Sequence, residues 1–253
     1  MENTRILNID IFSIRKRELL EQLERGALFT PNVDHLVRLQ KDRMLYEAYR
    51  QAEWVVCDSV ILQRLSRLLK HRIAESIPGS TFFREYCDYH REDEGCRIFI
   101  LGGKEGMPQR AMENINMRMG RRMVVGACSP SFRFVEDGQE SLELVRTVKE
   151  SGATVLMVCA TSPKQEVWIA RYRKLLEPSV KLFMALGATV DFEAGMVRRC
   201  PLWIQRMGME WFWRFCQEPR RLFKRYWVND MQFFRYFGKQ LAGTYLNPFQ
   251  VEN

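Results

Sequence analysis

The chain has 253 residues, 46% hydrophobic and 28% charged, which is enough apolar material for a sizeable core and leaves room for one large domain or a domain with an appendage. No stretch reaches the roughly 18 uninterrupted apolar residues of a spanning helix, and the start MENTRILNIDIF lacks the charged and then long apolar regions of a secretory signal, so a cytoplasmic chain is expected. The formal charge of +8 is mild for the length; seven cysteines, an odd number with no CxxC and mostly in apolar runs such as those ending at Cys57 and Cys159, read as reduced core residues.

Six apolar, β-branched runs follow in chain order: GALFT (26–30), EWVVC (53–57), CRIFILG (96–102), RMVVGA (122–127), TVLMVCA (154–160) and KLFMALG (181–187). Their near-continuous hydrophobicity predicts strands covered on both faces. Between them the spacing predicts helices over residues 33–51, from about Ser59 to Lys70, over 107–119, 141–151 and 164–176. Strand and helix in alternation predict an α/β fold with a Rossmann-like, doubly wound parallel sheet. The core is assigned to residues 1–197, and residues 198–253 to a helical C-terminal appendage whose removal should leave the core folded.

Ligands of such sheets bind beyond the carboxyl ends of the strands, so the residues after each run are the candidates. They are Thr30-Pro31-Asn32, Asp58, Gly102 and Gly103 with Lys104 to Gly106, Thr161 to Glu166, and Gly187 through Asp191. Each has two readings. Gly102 and Gly103 fit a tight turn or a close backbone approach to a ligand, and they do not form GxGxxG, which argues against a dinucleotide cofactor. Asn32 suits a helix cap or a polar contact, and Asp58 a cap or a general base. Pro163 suits the first turn of a helix, with Lys164, Gln165 and Glu166 solvated. His35, His71 and His90 are scattered and read as structural or solvated; neither they nor any Asp-x-Asp pair suggests a metal site.

The C-terminal part differs in character. Residues 198–243 hold ten Lys and Arg against three acidic residues, and 12 of the 30 aromatic residues fall between Trp203 and Phe237. Two amphipathic helices broken near Pro219 are predicted, fit either to lie in an anionic membrane interface or to pack on the sheet. No RNA-recognition signature accompanies the charge, so a nucleic-acid partner is not expected.

Taken in order, TPNVDHL, VVCDS, FILGGKEG, GACSPSF, SPKQEVWI, GATVDFEAG, RRCPLWIQRMGMEW and EPRRLFKRY resemble the WecG/TagA/CpsF glycosyltransferase family, also called glycosyltransferase family 26, over about residues 5–230. The resemblance implies inverting transfer of a sugar from a UDP-sugar to a polyprenyl-diphosphate-linked acceptor for a bacterial cell-surface polymer, with no cofactor and no bound metal. It implies Asp58 as the base, and Thr30, Asn32 and Gln165 as lining the sugar pocket. Gly102, Gly103, Gly187 and Asp191 then belong to the substrate-binding rim, and Arg214, Arg221 and Arg225 close over diphosphate while the appendage attaches to the inner face of the membrane. Family members associate in some cases through their cores, so a homo-oligomer is compatible. Three departures bear on the donor: Ser59 follows Asp58 where glycine is usual, CATSPKQE replaces a more glycine-rich turn, and the Arg often found before the Gly79 position is absent. A non-catalytic membrane-binding module and a nucleotide-dependent epimerase or oxidoreductase are the competing classes.

Overall fold

A computed structural model of the chain describes residues 3–197, 200, 201, 204, 210–217, 219, 223 and 230–250. All six expected runs are strands: β3 (Gly26–Phe29), β4 (Trp54–Val55), β5 (Ile98–Gly102), β6 (Val124–Cys128), β7 (Val155–Cys159) and β8 (Leu182–Ala185). They form one parallel sheet in the order β4-β3-β8-β7-β5-β6. The central strands β5, β7 and β8 are buried along their whole length, which is why their sequences show no polar alternation.

Helices cover both faces. One face holds α2 (Val33–Arg38), α3 (Arg43–Arg50), α4 (Val60–Leu65), α7 (Gly138–Glu150) and α8 (Lys164–Leu176), whose apolar residues, among them Leu36, Leu45, Leu62, Leu144 and Trp168, share one core. The other holds α1 (Lys16–Gln22), α5 (Gly79–Tyr89), α6 (Met107–Met119) and α9 (Thr189–Glu193), with Leu19, Phe82, Phe83, Ile115 and Val190 in a second core. Connections running one way along the sheet cross one face and those running the other way cross the opposite face, as crossovers of a single hand require. Consequently the helices after β3 and β8, and those after β7 and β5, leave to opposite faces and open crevices at the carboxyl ends.

Three local features differ from the expectation. A short antiparallel hairpin, β1 (Asn3–Ile6) and β2 (Ile9–Phe12), precedes the sheet; each strand has only four residues, too few for the alternation to stand out. The helix expected over 33–51 is two helices, because the Asp42 side chain accepts from the Leu45 amide at 3.0 Å and starts a new helix there. Helices α1, α5 and α9 were not anticipated.

The C-terminal region contains α10 (Glu210–Gln217) and α11 (Met231–Leu241). Neighbours of Pro219 lie outside the described residues, so the expected break there does too. Helix α11 and the turn after it are packed on the core. Phe233 and Phe237, one helical turn apart and stacked at 5.4 Å, are buried in the same core as Leu36 and Val37. Gln240 accepts from the Leu7 amide (2.8 Å) and donates to the Arg5 carbonyl (2.9 Å), tying α11 to the hairpin. Tyr245 donates to Gln40 (2.5 Å) and Asn247 to Tyr46 (3.0 Å). A truncation at residue 198 would therefore uncover part of this core, against the expectation that the core is indifferent to it. Among the described residues no helix is long and apolar enough to cross a membrane.

Candidate active site

The parallel pairing of β3 with β4 continues past the strands, with Val56 donating to Phe29 and Asp58 donating to Pro31, each at 3.0 Å. Half-buried Asp58 is thereby held beside the loop that carries Thr30 and Asn32. Ser59, not Asp58, caps α4: its hydroxyl accepts from Leu62 at 3.4 Å. The bland reading of Asp58 as a cap is thus removed, and the residue that departs from glycine has a structural use. Ile77 donates to the Cys57 carbonyl at 2.6 Å and brings the start of α5 to the same place. A β-carbon on Gly79 would stand 3.3 Å from the Thr30 hydroxyl and 3.0 Å from Leu186, so the positive end of an eleven-residue helix lies against Thr30.

Asn32 is a helix cap, as one of its two readings has it, with its Oδ1 accepting from the Asp34 (3.1 Å) and His35 (3.4 Å) amides. From it a chain of polar contacts crosses the sheet end. His35 Nδ1 is 2.9 Å from Asn32 Oδ1 and 3.3 Å from the Asn32 amide, while its Nε2 faces Glu166 Oε1 at 3.4 Å. A proton on Nε2 serves Glu166 and leaves Nδ1 to accept from the Asn32 amide, whereas a bond to Asn32 Oδ1 needs the proton on Nδ1. Gln165 donates from Nε2 to the same Glu166 oxygen at 2.9 Å and accepts from the Gly187 amide at 2.8 Å. Arg38 closes the ring, bound to Asp34 at 2.9 Å and to the Ser162 carbonyl at 3.1 Å. The ends of β3, β7 and β8 are cross-linked by side chains rather than by chance proximity.

Of the two readings of this turn, the one with Gln165 and Glu166 solvated does not hold: both are buried, Glu166 to 1% exposure. A buried carboxylate is retained only with partners, and here Gln165 and His35 are those partners. Tyr49 of α3 was also unforeseen. Burial first, then the carboxylates of Glu166 and of Asp58, push its hydroxyl well above the usual phenol range. The phenol is therefore neutral and shares its surroundings with both acids. Tyr49 Oη and Glu166 Oε2 have no hydrogen-bond partner among the described residues. The signal that could have found this group is a histidine three residues after a capping asparagine, followed on α3 by a tyrosine on the apolar side.

The rest of the rim lies across the crevice. At Gly102, φ is +123°, and a β-carbon would come within 2.2 Å of the Cys159 carbonyl oxygen, so packing of β5 on β7 alone demands glycine there. Gly103 donates to that carbonyl at 3.0 Å and abuts Val190, while Asp191 in the first turn of α9 accepts through its carbonyl from Met196 at 3.0 Å. Burial pushes the thiols of Cys57 and Cys159 up to about 12, which leaves them inert. Thr30, Asn32, Asp58, Gln165 and Gly187 thus form one cluster, and Gly102, Gly103 and Asp191 extend it along the same edge. Arg221 and Arg225 lie outside the described residues, as do Trp203 and Trp227; Arg214 and Trp211 fall in α10 with their side chains outside the described set. Among the described residues no three His, Cys, Asp or Glu side chains converge as a metal-ligand group.

A doubly wound sheet binds ligands at its carboxyl edge, and this edge gathers a hydroxyl, two amides and a half-buried carboxylate, groups suited to a polar ligand. The sequence profile described as "Glycosyl transferase WecG/TagA/CpsF family" matches residues 4–246, and the chain belongs to that family. Membership makes it a glycosyltransferase of cell-surface polysaccharide synthesis, with a sugar donor and an acceptor as its partners. The match runs past residue 230, where the motif resemblance stopped, through α11 to the turn that holds Tyr245, in keeping with the packing of that segment.

Proposed function

We propose that the protein is an inverting glycosyltransferase that moves a hexose from a UDP-sugar to a polyprenyl-diphosphate-linked saccharide, without a bound metal, on the inner face of the cell membrane. The observation that carries the reading is the juxtaposition of Asp58 with the Thr30 to Asn32 loop through the 3.0 Å bond to Pro31. Asp58 is half-buried, whereas Glu166 is sealed against Gln165 and His35, and one accessible carboxylate beside neutral sugar-binding groups suits a single displacement. Asp58 takes the proton of the acceptor hydroxyl as its oxygen bonds to the anomeric carbon, the bond from that carbon to the diphosphate oxygen breaks, and UDP leaves. Neutral hydroxyl and amide groups at Thr30, Asn32 and Gln165 suit sugar hydroxyls, and the start of α5 supplies positive potential where negative charge develops. Arg214, Arg221 and Arg225 complete the proposal as diphosphate ligands, because a planar guanidinium fits phosphate in a fixed geometry.

The test is a transfer assay in detergent, with a panel of UDP-sugars, a polyprenyl-diphosphate saccharide acceptor and EDTA throughout. Product with one donor establishes donor, acceptor class and metal independence together. An absence of both product and UDP binding would return the chain to the membrane-module class.

A further inference from the structure

Beside Asp58 the chain makes an excursion that the site described above does not use. Residues 59–76 leave the sheet edge as α4 and one 3-10 turn, Ser66–Leu68, and return to the Cys57 carbonyl through Ile77. They contain Arg64, Arg67, Lys70 and Arg72, and the first acidic residue is Glu75. This is a built lobe. Leu62 and Ile73 are buried, with Leu65 and Leu69 packed on the same core. The buried Ser66 hydroxyl donates to Gln63 (2.7 Å) and accepts from the Ile73 amide (2.9 Å), and Gln63 donates to the Ala74 carbonyl at 3.2 Å. At the end of β2, Ser13 donates to the Arg72 carbonyl and accepts from the Ala74 amide.

That frame presents outward a shallow depression lined by Arg67, Leu69, Lys70, His71 and Arg72. Among the described residues, Arg67, Lys70 and Arg72 enter no ion pair, whereas buried-edge arginines such as Arg118 and Arg173 are matched to Glu193 and Glu53. Three exposed cations within six residues make a local positive potential that attracts anions. Beside them Leu68 is 63% exposed, although Leu65 and Leu69 of the same turn pack inward. Exposed cations around one depression, beside an exposed apolar side chain, match an anionic bilayer surface, which offers phosphates to the cations and the start of the acyl region to the leucine.

We propose that this depression seats the protein on anionic phospholipid headgroups, as a contact separate from the C-terminal segment. Six α-helical and three 3-10 residues advance roughly 15 Å, so the seat lies close enough to Asp58 to hold the sheet edge near a membrane-borne acceptor. That purpose rests on the proposed transfer reaction, whereas the seating itself does not.

The experiment uses the full chain and vesicles of phosphatidylcholine with and without phosphatidylglycerol, read by sedimentation. Neutralising Arg67→Gln, Lys70→Gln and Arg72→Gln together should lower partition onto the phosphatidylglycerol vesicles by about 100-fold and leave thermal melting unchanged, since all three side chains are exposed. Leu68→Ser should lower it independently. Wild-type partition by the triple variant would overturn the proposal. So would loss of inorganic diphosphate binding by a triple variant that still binds vesicles as the wild type does, because the depression would then be a site for a soluble anion. A chain that transfers no sugar but loses vesicle binding on neutralisation would uphold the seat and refute only the proposed reaction.

Discussion

Asn32 is both a helix cap and a candidate sugar ligand, and two substitutions separate the roles. In Asn32→Ala the Asp34 and His35 amides lose the oxygen that stands 3.1 and 3.4 Å away, and His35 loses its 2.9 Å contact. Loss of a cap costs about 1 kcal/mol, which in a chain of this size lowers the melting temperature by about 2–4 °C. Asn32→Asp keeps an acceptor in the same place, and a charge at a helix N-terminus is favourable by about 0.3–1 kcal/mol, offset by the neighbouring Asp34 and Glu166 carboxylates. Its melting temperature should stay within about 2 °C of the wild type. Both variants lose the amide's NH2 group, so both should lose about tenfold in kcat/KM for the donor, the worth of one net hydrogen bond of about 1 kcal/mol or slightly more. Thermal melts and steady-state transfer kinetics read the two effects. Wild-type kinetics in Asn32→Asp would make Asn32 a cap and nothing more; an unchanged melt in Asn32→Ala would refute the energetic weight given to the cap.

Tyr49→Phe removes a buried hydroxyl that has no partner among the described residues, so denaturant unfolding should show stability unchanged or raised by up to about 1 kcal/mol; a loss beyond that would mean that the hydroxyl is bound in the folded protein. Gly102→Ala combines a left-handed backbone with a clash into the Cys159 backbone, and should cost at least about 3 kcal/mol or abolish soluble expression; a fully stable variant would contradict the close packing of β5 on β7. Burial raises the Glu53 carboxyl, but hydrogen bonds from Arg173 and the Ala27 amide outweigh it and hold the group below its usual range. The stability it contributes is therefore complete above the unfolded value of about 4.3 and is lost as pH falls below that through the lowered folded value. Melts between about pH 5 and pH 3 should show that slope, and Glu53→Gln should flatten it.

The sheet was legible because strands buried on both faces cannot alternate: VLMVC and IFILG announce themselves. The rim followed from topology, since any residue after such a run stands at the carboxyl edge. Hidden from that logic was everything fixed by contacts between distant segments. Glu166 reads as a solvated charge in the first turn of a helix, and only the approach of α2 and α3 shows that it is buried against His35 and Tyr49. The role of Ser59 as the cap of α4 freed Asp58 from that reading, a distinction of one residue that spacing does not resolve. Phe233 and Phe237 have the helical spacing of a buried stripe, but in a basic, aromatic stretch the same spacing fits a membrane face equally well.

The central claim is that Asp58 removes the acceptor proton. The most direct measurement is turnover by Asp58→Ala and Asp58→Asn beside wild type, with UDP binding measured on the same preparations. Loss of transfer by about 1,000-fold with UDP affinity retained is the predicted result, in the range expected for removing a positioned general base. Transfer at the wild-type rate by either variant would contradict it.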